Sequence, residues 1–297
     1  MNVDIFNKQQ FRAFKICSSS RLKMGIVYSF WALSGLLVTG LGMNLSFSNI
    51  FSKGLILLPA WFFLTLAIYV LNDMYDREFD KLIDREQPLV TGEVNPTQAM
   101  VVISTFVALA ITLSAIVNIS ALAVSLIFLI IGTIYSIPPI QIKRRILGKQ
   151  FTLTSLFLLS ILAGGVAIRG FPSALFFMIL CVGPFLVLMT PIPDLKDMES
   201  DKKQGCKTVP LLLGPNISID LGILAFLSLS TLSILGYLVY GFNLIFVISI
   251  VILSFINFHQ LLKLRYGNQN RTNYIKARQK AWIAGILLPL MFIIGVV

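Results

Sequence analysis

Nine apolar segments, separated by short polar stretches, most constrain how this chain can fold. A helix needs about 20 apolar residues to cross the ~30 Å hydrocarbon core of a bilayer, and a window of that length selects nine candidate spans. They cover residues 24–43, 54–74, 98–117, 120–138, 151–168, 173–192, 217–239, 243–262 and 281–297. Because 57% of the residues are hydrophobic and only 12% are charged, the composition also excludes an ordinary soluble enzyme. The segments predict an all-α membrane protein with nine transmembrane helices.

The charged residues indicate how these spans are oriented. If the connections alternate between two sides, the N-terminal side carries 22 of the 24 Lys and Arg residues, and only Lys53 and Arg169 lie on the other side. All thirteen acidic residues also fall on the N-terminal side. Because cytoplasmic connections carry the excess of Lys and Arg, we predict a cytoplasmic N-terminus, in a bacterial-type cell membrane. The net charge of +11 is thereby assigned to membrane topology, and we predict no nucleic-acid partner.

The chain divides into two parts. Residues 1–23 form a polar, basic segment ahead of the first apolar run, with no convincing cleavage site of a signal peptide after that run. We therefore expect a cytoplasmic N-terminal segment of 1–23, followed by a single nine-helix membrane domain of 24–297.

Two aspartate-rich sequences follow the second and sixth spans. One reads N-D-M-Y-D-R-E-F-D from residue 72, and the other reads D-L-K-D-M-E-S-D from residue 194. At ~100° per residue, three aspartates of each sequence share one face of a helix, whereas Glu78 and Glu199 point away. We expect these two glutamates to be solvated or paired with nearby basic side chains. The face-sharing residues are Asp73, Asp76 and Asp80, the first aspartate group, and Asp194, Asp197 and Asp201, the second aspartate group.

Carboxylates grouped in this way are the hard oxygen ligands that Mg²⁺ prefers, so all six aspartates are predicted metal ligands. Binding a diphosphate through Mg²⁺ requires two opposed carboxylate groups, and the two helix ends could face each other across one cavity. A diphosphate held at a membrane face implies a lipid-like tail among the helices. Lys143, Arg144 and Arg145 are the best candidates to neutralise its charge.

Two further patterns concern helix geometry. Gly164 and Gly165 in the fifth span predict a close approach between two helices. Pro184, Pro191 and Pro193 predict a kink or break of the sixth span just before Asp194. Such a break would either direct Asp194 into a cavity or simply end the helix.

These motifs resemble those of the UbiA superfamily of intramembrane prenyltransferases. The sequence from Asn72 matches the pattern N-D-x-x-D-x-x-x-D, and the sequence from Asp194 matches D-x-x-D-x-x-x-D. Residues 88–93 are similar to a P-L-x-S-G-E stretch of that superfamily. Between Tyr135 and Lys143, Y-S-x-P-P-x-x-x-K is closest to the chlorophyll-synthase and homogentisate-prenyltransferase side of the superfamily.

The resemblance implies a helical bundle around a central cavity that opens sideways to lipid. It implies Mg²⁺-dependent transfer of a prenyl group from a prenyl diphosphate, through an allylic cation, to an aromatic or other lipophilic acceptor. The expected partners are therefore both substrates and membrane lipid, with no obligate protein partner. Such a reaction would serve quinone or lipid biosynthesis.

The residue roles follow from the matched positions. The six aspartates would hold Mg²⁺ directly or through water, and Asn72, Lys143, Arg144 and Arg145 would bind the diphosphate. The expected catalytic residues are Asp73, Asp76, Asp194, Asp197, Tyr135 and Lys143. The chain departs from the superfamily at Gln87, where Arg is frequent, and at Lys149, where Asn is frequent after a Gly.

Two other functions stay open at this point. A terpene cyclase of the same fold would quench the cation internally or with water, so it would release diphosphate without an acceptor. A cation-coupled or proton-coupled transporter usually has its acids near the bilayer midplane, whereas these lie at span ends. Metal-stimulated flux of a substrate into liposomes would favour the transporter.

Overall fold

The computed structural model describes residues 2–82 and 86–297, with side chains from residue 8 onward in those ranges. The chain is 86% helical, and the described residues form no strand. The α-helices are α1 (Asn2–Gly42), α2 (Phe47–Leu82), α3 (Pro88–Thr91), α4 (Pro96–Val117), α5 (Ile119–Ser136), α6 (Gly148–Ala167), α7 (Ser173–Met189), α8 (Pro191–Asp194), α9 (Met198–Lys203), α10 (Val209–Val239), α11 (Leu244–Tyr266) and α12 (Arg271–Val296). Two 3-10 turns cover Ile142–Arg144 and Leu195–Asp197.

Nine helical segments of the described chain are long and apolar enough to cross a membrane, which confirms the predicted number and the all-α class. The first such segment is Lys8–Gly42, and the sixth, Ser173–Lys203, contains α7, α8 and α9. Because α1 is continuous from Asn2 to Gly42, the basic residues before position 24 continue the first span as helix. The treatment of residues 1–23 as a separate part of the protein stays a prediction, as does the cytoplasmic location of the N-terminus.

Asparagine side chains separate helices that the apolar pattern alone divides poorly. Asn118 ends α4 and caps α5, where its side-chain oxygen accepts a hydrogen bond from the Ala121 amide at 2.8 Å. Its side-chain nitrogen donates to the Val166 carbonyl at 2.8 Å, which ties this turn to the end of α6. Asn243 caps α11 in the same way and donates to the Ile294 carbonyl at 2.8 Å. These bonds explain sharp turns between spans only a few residues apart.

Helix α1 is the central element of the bundle, in contact with α2, α4, α6, α7 and α12. One buried core joins it to α2, α5 and α6, and a second core joins α7 to α10, α11 and α12. The contact between α1 and α6 is especially close at Gly35 and Gly164. A methyl group on Gly164 would lie less than 3.0 Å from backbone atoms of α1, and one on Gly35 would meet the Ile161 carbonyl of α6. The close approach predicted at Gly164 is confirmed.

One buried side-chain hydrogen bond links α2 to α6. The indole nitrogen of Trp61 donates to the Ser160 hydroxyl at 2.7 Å, and both residues are fully buried. Replacing Ser160 with Ala should lower the free energy of unfolding by about 1–3 kcal/mol, because the indole N–H would lose its acceptor away from water. Thermal unfolding of the purified variant in detergent measures this loss. Ser228→Ala is the matched control, since the one described partner of the Ser228 hydroxyl is the Ala225 carbonyl of its own helix. Equal unfolding temperatures for the two variants would contradict the prediction.

Candidate active site

The first aspartate group occupies the C-terminal part of α2. Asp73 and Asp80 are buried, and Asp76 is partly buried. Glu78 is exposed and pairs with Lys81 at 2.9 Å, as its helical phase predicts. The one-sided carboxylate face predicted for this helix is therefore present.

Each of two aspartates in the first group meets a basic side chain from another element. The Arg21 guanidinium, on α1, donates to both carboxylate oxygens of Asp73. The Lys143 ammonium donates to Asp76, and the Asn72 side-chain nitrogen donates to the other oxygen of Asp76 at 3.0 Å. Asn72 in turn accepts from Ser136 at 3.0 Å. Charge is thus balanced locally, as burial of carboxylates requires.

The second aspartate group lies where the sixth span changes its helical form. Helix α7 ends at Met189, the short helix α8 follows, and the 3-10 turn Leu195–Asp197 leads into α9. The break predicted before Asp194 is confirmed. Asp194 and Asp201 are buried, whereas Glu199 is exposed. The outer two carboxylates of the group are therefore enclosed by the protein.

Lysines neutralise part of this second group. Lys149, from the first turn of α6, lies 2.5 Å from Asp194 Oδ1, and Lys196 lies 2.5 Å from Asp197 Oδ1. Asp194 is 1% exposed, and its Oδ2 atom has no hydrogen-bond partner among the described residues. A buried carboxylate oxygen without a partner is costly, so this atom is a ready ligand for a cation.

A polar cavity of about 270 Å³ lies between the two aspartate groups. Its walls include Asn72 and Asp76 from α2 and Asp197 and Asp201 from the second group. Two helix ends that are 121 residues apart in sequence therefore face the same space, as their similar positions in the chain suggested. Cys206, in the connection to α10, also lines this cavity, and burial raises the pKa of its thiol. The Cys206 side chain is therefore a neutral thiol at pH 7.

A second space, the apolar chamber, adjoins the polar cavity and also measures about 270 Å³. Aromatic rings from five helices line it, namely Tyr28, Trp31, Tyr69, Phe157, Phe185 and Trp282. Five of the described residues line both spaces: Tyr69, Lys149, Leu153, Asp197 and Arg278. The site consequently has a charged half and an apolar half that meet at a shared wall.

The basic loop after α5 contributes unequally to the site. Lys143 is only 6% exposed, and its ammonium lies 3.3 Å from the side-chain oxygen of Asn72 and 5.9 Å from the centre of the Tyr135 ring. Tyr135 and Lys143 both line the polar cavity. Arg144 and Arg145 are exposed and line neither space, so their predicted contact with a diphosphate stays a prediction.

Three basic residues of the site were not assigned to it from sequence. Arg21 belongs to the basic N-terminal segment, and Arg278 lies among the charges before the last span, where both resemble topology signals. Lys149 stood out only because the superfamily frequently has Asn there. No periodicity predicts that Lys149 and Asp194 meet, since 45 residues separate them in sequence.

The donor atoms of the site fit Mg²⁺. They are carboxylate oxygens and one amide oxygen, and they include the partnerless buried oxygen of Asp194. Among the described residues, no three His, Cys, Asp or Glu side chains are close enough to hold a metal ion by themselves. This agrees with the usual coordination of Mg²⁺ in proteins, in which one or two carboxylates bind the ion and water and substrate phosphates complete its coordination shell.

Comparison with known proteins places this chain in a family. A family model described as the UbiA prenyltransferase family matches residues 28–294. The chain belongs to the UbiA prenyltransferase family. With nine apolar helices in the part of the chain that the structure describes, this UbiA family member is an integral, multi-pass membrane protein.

Two curated relatives differ in how much of their length matches. A digeranylgeranylglyceryl phosphate synthase of Saccharolobus solfataricus is 30% identical over 192 residues, which cover 64% of this chain and 66% of the relative. A 4-hydroxybenzoate octaprenyltransferase of Francisella tularensis subsp. novicida is 25% identical over 296 residues, which cover 97% of this chain and 99% of the relative. The match thus spans slightly less than two thirds of the first relative and nearly all of the second.

The fold of this UbiA family member is also that of a solved structure. A UbiA homolog from Archaeoglobus fulgidus, bound to DMAPP and Mg²⁺, superposes with a TM-score of 0.65 at 20% identity, covering 96% of this chain and 100% of that chain. The likeness therefore supports the fold.

Proposed function

We propose that this protein transfers a prenyl group from a prenyl diphosphate to a lipophilic acceptor, in a reaction that requires Mg²⁺. One observation carries the proposal: Asp76 and Asp197, from opposite halves of the chain, line one polar cavity that continues into an apolar chamber. A charged head and a hydrocarbon tail of one molecule would fill the two spaces together. The names of both curated relatives, and the DMAPP and Mg²⁺ bound to the A. fulgidus homolog, support this choice.

The two aspartate groups and Asn72 would hold Mg²⁺ together with the diphosphate. Mg²⁺, when bound, would neutralise phosphate oxygens and weaken the bond between the prenyl carbon and oxygen. Lys143 would exchange its contact with Asp76 for a phosphate oxygen, and so stabilise the charge of the leaving diphosphate. Tyr135 would lie beside that contact. Arg144 and Arg145 would approach the same charge from the exposed side of their loop.

The apolar chamber would hold the prenyl tail and keep water from the reacting carbon. The rings of Tyr28 and Phe157 stack with their centres 4.4 Å apart, next to Trp31. Aromatic faces attract a cation, so they would favour ionisation of the prenyl C–O bond, whose electron pair leaves with the diphosphate. The acceptor then supplies an electron pair for the new carbon bond and afterwards loses a proton.

The direction of the protein in the membrane belongs to the same proposal. Lys and Arg residues are concentrated in the connections that carry the aspartate groups, which favours a cytoplasmic active site and N-terminus. A bacterial-type cell membrane is the proposed location. A water-soluble diphosphate product would then leave into the cytoplasm.

Removal of Mg²⁺ should abolish turnover. Purified protein is incubated with geranylgeranyl diphosphate and either 4-hydroxybenzoate or a prenylglyceryl phosphate, and both diphosphate release and the product mass are measured. We expect release to fall at least about 100-fold in EDTA and to recover with added Mg²⁺, because several kcal/mol of charge stabilisation depend on the ion. A prenylated acceptor supports transfer. Release without acceptor, accompanied by a cyclic hydrocarbon or alcohol, would contradict transfer and indicate a terpene cyclase.

A further inference from the structure

Arg278 differs from the other basic residues of the site. Among the residues that the structure describes, three Lys or Arg side chains line the polar cavity or the apolar chamber, namely Lys143, Lys149 and Arg278. Lys143 is paired with Asp76, and Lys149 is paired with Asp194. Arg278 is half-buried and makes no hydrogen bond or ion pair with any described residue. It is therefore the one cation of these walls that has no direct partner among the described residues.

Arg278 lies where the polar cavity and the apolar chamber meet. Lys143 and Asp76 line only the polar cavity, whereas Arg278 lines both spaces. The prenyl carbon that reacts is bonded to the diphosphate, so it must lie where the polar cavity meets the apolar chamber. An acceptor has to reach that carbon, and Arg278 stands at this junction.

The surroundings of Arg278 indicate what kind of molecule lies beside it. Trp282 and Gly285 line the apolar chamber about one and two turns further along α12, so a molecule held by Arg278 would continue into apolar space. A methyl group placed on Gly285 would meet nothing within 4 Å, which leaves room along this wall. On the facing helix α6, the buried Thr154 hydroxyl also lines the chamber and has no hydrogen-bond partner among the described residues. An apolar wall with a few polar groups is typical of a site for an amphiphilic ligand.

We propose that the acceptor is an anionic amphiphile, and that Arg278 binds its carboxylate or phosphate at the junction of the two spaces. This proposal rests on the prenyl transfer proposed above and names the chemical class of its acceptor. A guanidinium is always charged and forms two parallel hydrogen bonds to a carboxylate or phosphate, so it selects such groups over neutral ones. Because Mg²⁺ and Lys143 serve the diphosphate, the charge of Arg278 stays available for the second substrate.

The test compares variants at Arg278 with a matched variant on the same helix. Arg278→Met removes the positive charge. Arg278→Lys keeps the charge but lacks the planar guanidinium group that donates two parallel hydrogen bonds. Arg271→Met is the control, since Arg271 is exposed on α12 and lines neither space. Each protein receives geranylgeranyl diphosphate with an aromatic carboxylate (4-hydroxybenzoate), with a prenylglyceryl phosphate, and with the neutral counterparts of both (methyl 4-hydroxybenzoate and the prenylglycerol). Equal unfolding temperatures establish that the variants are folded.

With Arg278→Met we expect the KM of the anionic acceptor to rise at least tenfold, and the KM of the prenyl diphosphate to stay within twofold. Arg278→Lys should recover part of the loss, and the neutral acceptors should lose nothing. Turnover of the wild-type protein with 4-hydroxybenzoate or with the prenylglyceryl phosphate shows whether the anionic group of the acceptor is a carboxylate or a phosphate. Three outcomes would each overturn the proposal. The KM of the prenyl diphosphate could rise in place of the KM of the acceptor, or Arg278→Met could have no larger effect than Arg271→Met. The wild-type protein could also prefer the neutral acceptors. Absence of diphosphate release from the wild-type protein with every acceptor would refute the prenyl transfer itself.

Discussion

Replacing Asp76 with Asn should lower kcat for prenyl transfer by about 10³-fold, or ~4 kcal/mol of transition-state stabilisation. Asn keeps the size of the side chain and removes the negative charge that would face Mg²⁺ and the diphosphate. Asp197→Asn should cause a similar loss, because Asp197 lines the same cavity from the second aspartate group. Diphosphate release under saturating substrate, at several concentrations of Mg²⁺, measures both variants.

Glu78→Gln is the control for these aspartate variants. It removes one carboxylate from the same helix, but Glu78 is exposed and lines neither the polar cavity nor the apolar chamber. Its kcat should stay within about twofold of the wild-type value, since its pair with Lys81 is at the surface. If Glu78→Gln and Asp76→Asn lost equal activity, the loss would come from general charge at the helix end and not from the site.

Combining Asp76→Asn with Asp197→Asn tests whether the two aspartates act on the same bound group. Residues that act on one bound group have effects that do not add, because the first change already removes most of the shared interaction. The double variant Asp76→Asn with Asp197→Asn should therefore lose far less than the ~10⁶-fold that independent effects would give. A fully multiplicative loss would contradict a single diphosphate site shared by the two groups.

The second large effect concerns folding. Gly164→Ala should lower the free energy of unfolding by about 3 kcal/mol or more, since α1 and α6 cannot separate without repacking the core. The added methyl group would lie less than 3.0 Å from backbone atoms of α1, which no side-chain rotation can relieve. Size-exclusion profiles in detergent and unfolding temperatures measure the change, and we expect little monodisperse protein.

Gly285→Ala controls for the loss of a helical glycine. A methyl group at position 285 meets nothing within 4 Å, so its added bulk should be accommodated. Replacing a helix-interior Gly by Ala is worth about 0.5–1 kcal/mol in favour of the folded state, so this variant should unfold no earlier than the wild-type protein. Equal behaviour of Gly164→Ala and Gly285→Ala would show that close contact between α1 and α6 is not what holds these helices together.

Much of this architecture follows from local patterns in the sequence. Apolar length determines the spans, because each helix must satisfy its backbone hydrogen bonds within the bilayer. Helical phase correctly sets Glu78 apart from the buried Asp73 and Asp80, because all three lie on the regular helix α2. The second aspartate group is harder to derive, since the 3-10 turn Leu195–Asp197 changes the angle per residue within it.

Contacts between distant segments could not be read from these patterns. Arg21 meets Asp73 across 52 residues, and only the packing of α1 on α2 brings them together. Arg278 lies in a basic stretch that the positive-inside rule already explains, so nothing in its sequence marks it as part of a site. The loop with Lys143, Arg144 and Arg145 illustrates the same limit. One of these three basic residues is buried in the cavity, and the other two are exposed.

Equilibrium binding of a prenyl diphosphate tests most directly whether the two aspartate groups form one Mg²⁺-dependent site. Binding of geranylgeranyl diphosphate to the purified protein is measured in Mg²⁺ and in EDTA, for the wild-type protein, Asp76→Asn, Asp197→Asn and Glu78→Gln. The shared site predicts that binding needs Mg²⁺, that either aspartate change weakens it at least about tenfold, and that Glu78→Gln does not. Affinity that is the same in EDTA as in Mg²⁺, or that responds to only one of the two aspartate groups, would contradict it.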